Sequence, residues 1–219
     1  MGYRIIANAS GLPVSSLEPG KVRIDDPKWH GYLANITPAE FESKYARLLP
    51  DLLNGSDFLN RYQGITDTVT TVRADGEYPV LQATQHPVYE NARVKSFASI
   101  LKNWRGTIQA NELGQLMFES HQSYSDCGLG SEATDLIVGL TRDLSDEGLF
   151  GARITGGGSG GTVAVLGRRG ANTAIEMLRQ EFRERTGYLP LVISGSSPGA
   201  RNFDHLELQR NSATNSSSA

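Results

Sequence analysis

The sequence predicts an α+β fold in which helices cover one face of a short antiparallel sheet. From residue 131 onward, apolar periodicity and turn residues indicate the order helix, strand, strand, helix, strand, strand. Two longer helical patterns precede that order. Helices packed on one face of a sheet bury the apolar surfaces of both, so we expect a two-layer sandwich.

The first clear helix signal lies at Thr37. This side chain can cap a helix whose first position is Pro38, and Glu40 follows three residues after the cap. We expect this helix to run to about Leu49, because Pro50 comes next.

Weaker signals lie on either side of this helix. Residues 10–30 show no periodic pattern, whereas residues 56–62 begin with Ser-Asp and predict a short helix. Residues 68–72 and 78–81 are rich in strand formers, so they predict a small hairpin.

Three helices follow in the middle of the chain. Apolar residues recur at near-helical spacing across residues 87–104 and across residues 109–125. His86, which precedes Pro87, is expected at the start of the first of these helices. Ser131 predicts the cap of the third.

The carboxy-terminal half predicts strands around one further helix. The elements are strands at 149–154 and 162–166, a helix at 171–186, and strands at 189–193 and 205–208. Residues 195–200 contain turn formers and predict a connector between the last two strands. Residues 211–219 are small and polar, and they predict a disordered tail.

Five glycines and one serine fill residues 156–161, between two segments that predict strands. Such composition is also typical of a flexible linker, but the apolar, strand-forming flanks favour a hairpin tip. A turn with few side chains exposes its backbone N–H groups and permits a phosphate or a second backbone to approach closely. The hydroxyls of Ser159 and Thr162 are further candidate donors. The alternative for Ser159 is a turn residue without a ligand, and the alternative for Thr162 is an ordinary strand residue.

The spacing of Gly156, Gly158 and Gly161 also satisfies the dinucleotide-binding pattern G-x-G-x-x-G. That fingerprint requires a helix directly after the glycines, with its amino terminus at the pyrophosphate. Residues 162–166 instead show a β-branched strand pattern. The sequence therefore argues against this mode of nucleotide binding.

Composition limits the classes of partner and compartment. The 219 residues carry a formal net charge of −3 and have a sequence pI near 5.8, which removes bulk attraction to nucleic acid or to anionic membranes. Apolar runs are shorter than a membrane span. The single cysteine, Cys127, cannot form an intrachain disulfide. We expect a cytoplasmic protein that binds neither nucleic acid nor membrane.

A dense polar group, His121, Ser123, Tyr124 and Asp126, lies at the end of the helix predicted at 109–125. It is a candidate contact with a substrate or a neighbouring domain, and the alternative is hydrogen bonding that ties the helix to a loop. A catalytic pair of His121 and Ser123 is disfavoured, because residues two apart on a helix point about 200° away from each other. The four histidines show no metal-ligand spacing, so no metal site is predicted.

Several sequence blocks resemble the GHMP kinase superfamily, which includes galactokinase, homoserine kinase and mevalonate kinase. The run at 151–155, with the glycines after it, is similar to the third motif of that superfamily. Residues 86–94 and 113–123 resemble two galactokinase helices that precede this motif. A narrower resemblance, to the carboxy-terminal part of L-arabinokinase-type enzymes, rests on blocks at 123–131, 134–135, 186–190 and 195–200.

The resemblance implies a ferredoxin-like second domain with additional amino-terminal helices, together spanning residues 1–210. The intact enzyme would be a sugar 1-kinase that transfers the γ-phosphoryl group of ATP, with Mg²⁺, to the anomeric hydroxyl of a monosaccharide. The resemblance also places one loop beside the nucleotide phosphates, formed by Gly156, Gly157, Gly158, Ser159, Gly160 and Gly161.

The first domain of such a kinase carries a sugar-recognition motif and a phosphate loop, and neither string occurs in this sequence. We therefore expect that domain to be a partner, in the same or a separate chain, and expect no catalytic residue here. The chain alone should be inactive and should bind neither ATP nor Mg²⁺ tightly. The alternative function is a non-catalytic remnant or interaction module with the same fold.

Overall fold

The computed structural model describes residues 1–195 and residue 202. The strand predicted at 205–208, the tail at 211–219 and most of the connector at 195–200 lie outside the described residues. The helices are α1 (Gly2–Ala9), α2 (Pro38–Glu40), α3 (Gly55–Tyr62), α4 (Val80–Lys102), α5 (Thr107–Asp126), α6 (Glu132–Asp143) and α7 (Asn172–Thr186). The strands are β1 (Val14–Glu18), β2 (Gly20–Ile24), β3 (Leu53–Asn54), β4 (Gly64–Ile65), β5 (Glu77–Tyr78), β6 (Leu149–Ile154) and β7 (Val163–Gly167).

Helices α5 and α6 pack against the antiparallel hairpin of β6 and β7 in the carboxy-terminal half. The hairpin register pairs Ile154 with Val163 beside the glycine loop and Leu149 with Gly167 at the other end. Helix α7 packs on α6, and Leu140 of α6 shares a buried core with Leu149, Leu178 and Phe182. The predicted α+β class is confirmed.

Two facing glycines bring α5 very close to β6. A Cβ atom at Gly114 would overlap the carbonyl oxygen of Phe150, and a Cβ atom at Gly151 would overlap the backbone of Gly114. Any larger residue at either position would push the helix away from the strand that leads into the glycine loop.

The strand predicted at 189–193 is wrong. These residues have no regular structure, and Leu191 and Ile193 are 85% and 80% exposed. Among the described residues no neighbouring strand pairs with them, and strand-forming composition does not hold a strand without such a partner. The described part of the chain therefore shows β6 and β7 of the predicted carboxy-terminal sheet.

The amino-terminal half surrounds a separate apolar core. Its largest fully buried side chains include Trp29, Phe41 and Phe58. A three-stranded sheet, with the order β1-β2-β4, and the β3–β5 pair lie in this half. Helix α4 contributes Val80 and Val88 to the core and then continues into the carboxy-terminal half, where it packs on α5.

The β1–β2 hairpin lies where the sequence shows no periodic pattern. Every residue of β1 after Val14 is exposed, so no alternation of apolar and polar side chains marks the strand. Its signal is therefore absent from the sequence.

The hairpin predicted between residues 68–72 and 78–81 is also wrong. The Asp67 carboxylate accepts hydrogen bonds from the backbone N–H groups of Val69 and Thr70 and holds that segment in a turn. Tyr78 pairs with Leu53 instead.

The helix predicted from Thr37 begins as expected. The Thr37 hydroxyl oxygen accepts a hydrogen bond from the backbone N–H of Glu40 at 3.2 Å. After α2 the chain continues as a π-helical segment, Phe41–Tyr45, and a 3-10 segment, Ala46–Leu48. Ser131 likewise caps α6, and its hydroxyl accepts from the backbone N–H of Thr134.

Helices α3, α4 and α5 begin before their predicted starts, α5 by two residues at Thr107. The α3 cap is Asn54, whose side-chain oxygen accepts from the backbone N–H of Ser56 at 2.8 Å. Helix α4 starts at Val80 and contains Pro87, so His86 lies inside this helix instead of at its start. Among residues 1–195 no helix combines the length and apolar character that a membrane span requires.

Candidate functional site

The glycine loop, residues 155–162, closes the β6–β7 hairpin and is held at three points. The backbone N–H of Thr155 donates to the carbonyl of Thr162 at 2.9 Å. The N–H of Ser159 donates to the Leu129 carbonyl, in the turn between α5 and α6, at 2.6 Å. The Tyr124 hydroxyl donates to the Gly156 carbonyl at 3.4 Å. The interpretation of this stretch as a hairpin tip is confirmed.

The loop turns through backbone conformations that favour glycine. Positive φ angles occur at Gly156, Gly158, Gly160 and Gly161, and also at Ser159, with φ 63°. Gly158 also packs tightly: a Cβ atom there would lie 2.7 Å from the Leu129 Cβ. The glycine composition is therefore required in part by the fold itself.

The same loop presents unpaired backbone donors. Within the described part of the chain, the N–H groups of Gly156, Gly157, Gly158, Gly160 and Gly161 donate no hydrogen bond. The Ser159 hydroxyl also has no partner there. Free backbone N–H groups in a turn can form a concave binding site for an anion. The loop is therefore a candidate phosphate site, and its role as a phosphate neighbour stays a prediction.

His121 joins three elements of the fold. Its Nδ1 accepts from the backbone N–H of Ile154 in β6 at 3.2 Å, and its Nε2 lies 2.9 Å from the Asp135 carboxylate on α6. Because Nδ1 is an acceptor, Nε2 carries the proton and donates to Asp135. The side chain is buried and its contacts fit the structural alternative, while a role in contacting a substrate or a neighbouring domain stays a prediction.

Ser123 and Tyr124 face helix α4. The Ser123 hydroxyl lies 2.8 Å from His86 Nδ1, and the His86 ring packs edge-on against Tyr124 with centroids 4.9 Å apart. Burial holds the pKa of His86 below its ordinary value, with nearby Arg93 and Arg153 acting in the same direction.

The predicted polar group therefore does not form one site. His121 points into the fold, Ser123 and Tyr124 contact α4, and Asp126 is exposed and accepts a hydrogen bond from Gln122 at 2.9 Å. His121 and Ser123 have separate partners, which agrees with the argument that they do not form a catalytic pair. Only Tyr124 of the four touches the glycine loop among the described residues.

Sequence analysis missed a charged cluster beneath the loop. Glu90 on α4 accepts hydrogen bonds from Arg153 at 2.8 Å, Arg93 at 3.1 Å and Ser120 at 2.6 Å. Burial alone would raise the pKa of Glu90, but the Ser120 hydrogen bond and the two guanidinium groups outweigh it and lower the pKa. The one available signal was Arg153, a charged residue in an apolar strand directly before the glycines.

The described residues do not offer a protein site for a metal ion. Within residues 1–195 and 202, no group of three or more His, Cys, Asp or Glu side chains converges. Mg²⁺ in phosphoryl-transfer sites is usually held by one or two carboxylates together with substrate phosphates, so the prediction that the intact enzyme uses Mg²⁺ stays a prediction.

Comparison with known proteins agrees with the geometry of the hairpin and its helices. Residues 106–184 match the family model described as GHMP kinases C terminal. This segment, which runs from the start of α5 almost to the end of α7, belongs to the carboxy-terminal domain family of the GHMP kinases.

Similar proteins include L-arabinokinase and several galactokinases. The chain is 42% identical to L-arabinokinase from Arabidopsis thaliana over 188 residues, which cover 82% of this chain and 18% of that protein. It is 42% identical to galactokinase from Thermotoga maritima over 105 residues, which cover 47% of this chain and 28% of that protein. The chain thus spans less than a third of the length of either relative, and its recognition as a homologue of these kinases is confirmed.

A solved structure of Lactococcus lactis galactokinase complexed with galactose also resembles the chain, with a TM-score of 0.44 and 23% identity. It covers 63% of this chain and 32% of the galactokinase chain.

Proposed function

We propose that the chain is the carboxy-terminal part of an ATP-dependent sugar 1-kinase of the L-arabinokinase or galactokinase type. The intact enzyme would transfer the γ-phosphoryl group of ATP to the anomeric hydroxyl of a monosaccharide. The homology to L-arabinokinase and galactokinase supports the kinase class.

The observation that carries this proposal is the glycine loop, five of whose backbone N–H groups have no acceptor among the described residues. Phosphoryl transfer depends on positioning the phosphates and on stabilising their charge, and covalent chemistry by the protein contributes little. Backbone donors that are fixed before the reaction are well suited to that role. The loop, with the Ser159 hydroxyl, would donate to phosphate oxygens of ATP.

The remaining parts of the site would come from the domain that carries the sugar motif and the phosphate loop. Neither string occurs in residues 1–219, and the intact enzyme would use Mg²⁺ together with ATP. We assign no catalytic residue to this chain. We also propose a cytoplasmic location, which the single cysteine supports.

A substitution at Gly157 tests the role of the loop. Gly157 has no positive φ, and a Cβ atom there would meet no atom within 4 Å, so alanine changes neither strain nor internal packing. Gly157→Ala, placed at the matching position of a full-length relative, should lower kcat/KM for ATP on the order of 10-fold and leave the melting temperature unchanged. Gly139→Ala, at an exposed position of α6, is the control. Unchanged ATP kinetics in the Gly157 variant would contradict the proposed role.

A further inference from the structure

A chain of contacts connects helix α4 to the glycine loop. It starts at the Glu90 carboxylate, whose Oε1 accepts from Arg153 Nη1 at 2.8 Å and from the Ser120 hydroxyl at 2.6 Å. Oε2 accepts from Arg93 at 3.1 Å. The Glu90 side chain is 17% exposed and that of Arg153 is 27% exposed, so solvent screens this ion pair only partly.

Arg153 carries the connection to the loop. Its Nε donates to the Ile154 carbonyl at 3.1 Å, at the end of β6. Its guanidinium carbon lies 5.4 Å from the centroid of the Tyr124 ring, a distance suited to a cation–π contact. The Tyr124 hydroxyl in turn donates to the Gly156 carbonyl.

We propose that Glu90 is a positioning residue for the glycine loop and that it acts through Arg153 and Tyr124. The carboxylate fixes the guanidinium group, the guanidinium group fixes the Tyr124 ring, and the Tyr124 hydroxyl holds the first glycine of the loop. A planar guanidinium is well suited to this double role, because it pairs with a carboxylate and stacks on an aromatic ring.

This arrangement couples the loop to the amino-terminal half of the protein. Glu90 follows Val88 on α4, and Val88 is fully buried in the amino-terminal core. The loop anchor from Ser159 to Leu129 joins two backbone groups and does not involve Glu90. Loss of the Glu90 connection should therefore loosen the start of the loop and leave its anchor at Ser159 in place.

The test uses nitrogen-15 relaxation of the 219-residue chain. Glu90→Gln should lower the backbone order parameters of Gly156 and Gly157 from the rigid range to below about 0.6. Tyr124→Phe should do the same, and the double variant should show no further decrease, because both changes interrupt one path. The matched control is Glu119→Gln, since Glu119 lies 3.7 Å from Arg93 and is 45% exposed but does not contact Arg153.

Unchanged loop order in Glu90→Gln, or an equal decrease in the Glu119 control, would overturn the proposal. If Glu90→Gln does not fold, the order parameters of Tyr124→Phe test the proposal, because this change removes only the hydroxyl that contacts the loop. Unchanged order at Gly156 in that variant would also overturn it.

The catalytic consequence rests on the proposed function and is measured separately. In a full-length relative, the change matching Glu90→Gln should lower kcat/KM for ATP on the order of 10- to 100-fold and leave KM for the sugar unchanged. A loosened loop with unchanged ATP kinetics would overturn the phosphate role of the loop and support the positioning role of Glu90.

Discussion

Gly158 in the glycine loop lies directly against Leu129 in the turn between α5 and α6. An added Cβ atom would come within 2.7 Å of the Leu129 Cβ and 2.8 Å of its carbonyl oxygen, and Gly158 has a φ of 93°. The neighbouring Gly157 faces open space. Two adjacent glycines thus serve different purposes, one in packing and one in leaving the loop surface free.

This difference predicts unequal effects on stability. Gly158→Ala should lower the free energy of unfolding by about 1–3 kcal/mol, because the change adds both backbone strain and a clash. Gly157→Ala should change it by less than about 0.5 kcal/mol. Urea denaturation of the two variants measures the difference, and equal losses would show that the Gly158 contact with Leu129 does not stabilise the loop.

The close approach of α5 and β6 predicts a larger effect at Gly114. Gly114→Ala should lower the free energy of unfolding by about 3 kcal/mol, because its Cβ would overlap the Phe150 carbonyl and the helix must move. Gly139 is an exposed position of α6 where an added Cβ would meet no atom within 4 Å, so Gly139→Ala should instead raise the free energy of unfolding by about 0.5–1 kcal/mol through helix propensity. A thermal melt in which both variants behave alike would contradict the close packing.

The lowered pKa of Glu90 predicts a stability change that depends on pH. A carboxyl whose folded-state pKa lies below its unfolded value of about 4.5 stabilises the fold above that pH and loses this contribution as the pH falls through the folded-state pKa. Glu90→Gln should therefore cost about 1.5–3 kcal/mol near pH 7. The difference in free energy of unfolding between Glu90→Gln and the unsubstituted chain should become smaller below about pH 4.5.

Urea denaturation at several pH values, with Glu119→Gln as the control, measures this gap. The control should show a smaller loss, because Glu119 is more exposed and its distance to Arg93 is longer. A gap that stays constant between about pH 7 and about pH 3 would mean that Glu90 is not held ionised by its partners.

Exposed apolar residues after α7 predict self-association. Leu191 and Ile193 are 85% and 80% exposed, and Tyr188 nearby is 78% exposed. Clustered apolar surface of this kind is typical of a docking site. Sedimentation velocity should show association at micromolar concentration that Leu191→Ser with Ile193→Ser reduces. Val69→Ser is the control, because Val69 is also exposed but lies far from this segment in the sequence, and it should have no effect. A monomer at all concentrations would contradict the prediction.

The sequence predicted those parts of the fold that are determined by residues close together in the chain. Thr37 and Ser131 are caps whose partners lie three residues away, and the β6–β7 hairpin is marked by apolar runs on both sides of the glycines. The β1–β2 hairpin was not predictable, because exposed strands lack alternation. The segment at 189–193 has strand-forming residues, but a strand also requires a neighbour, which the composition of one segment does not reveal.

The charged cluster was not predictable for a related reason. Glu90 and Arg153 are 63 positions apart, and only the packing of α4, α5 and β6 brings them together. The polar group at the end of α5 was dense in sequence, yet its members separate in space, because successive residues on a helix point in different directions. His121 and Asp126 show this most clearly, one buried between three elements and the other exposed.

The most direct test of the proposed function is an assay of the whole open reading frame that contains this chain. The purified product should form a sugar 1-phosphate from ATP and either L-arabinose or D-galactose, detected by phosphorus-31 NMR, whereas residues 1–219 alone should form none. Omission of the sugar is the control for ATP hydrolysis. Sugar-dependent turnover by residues 1–219 alone would contradict the account. So would the absence of any sugar 1-phosphate with the whole product, which would favour the non-catalytic interaction module.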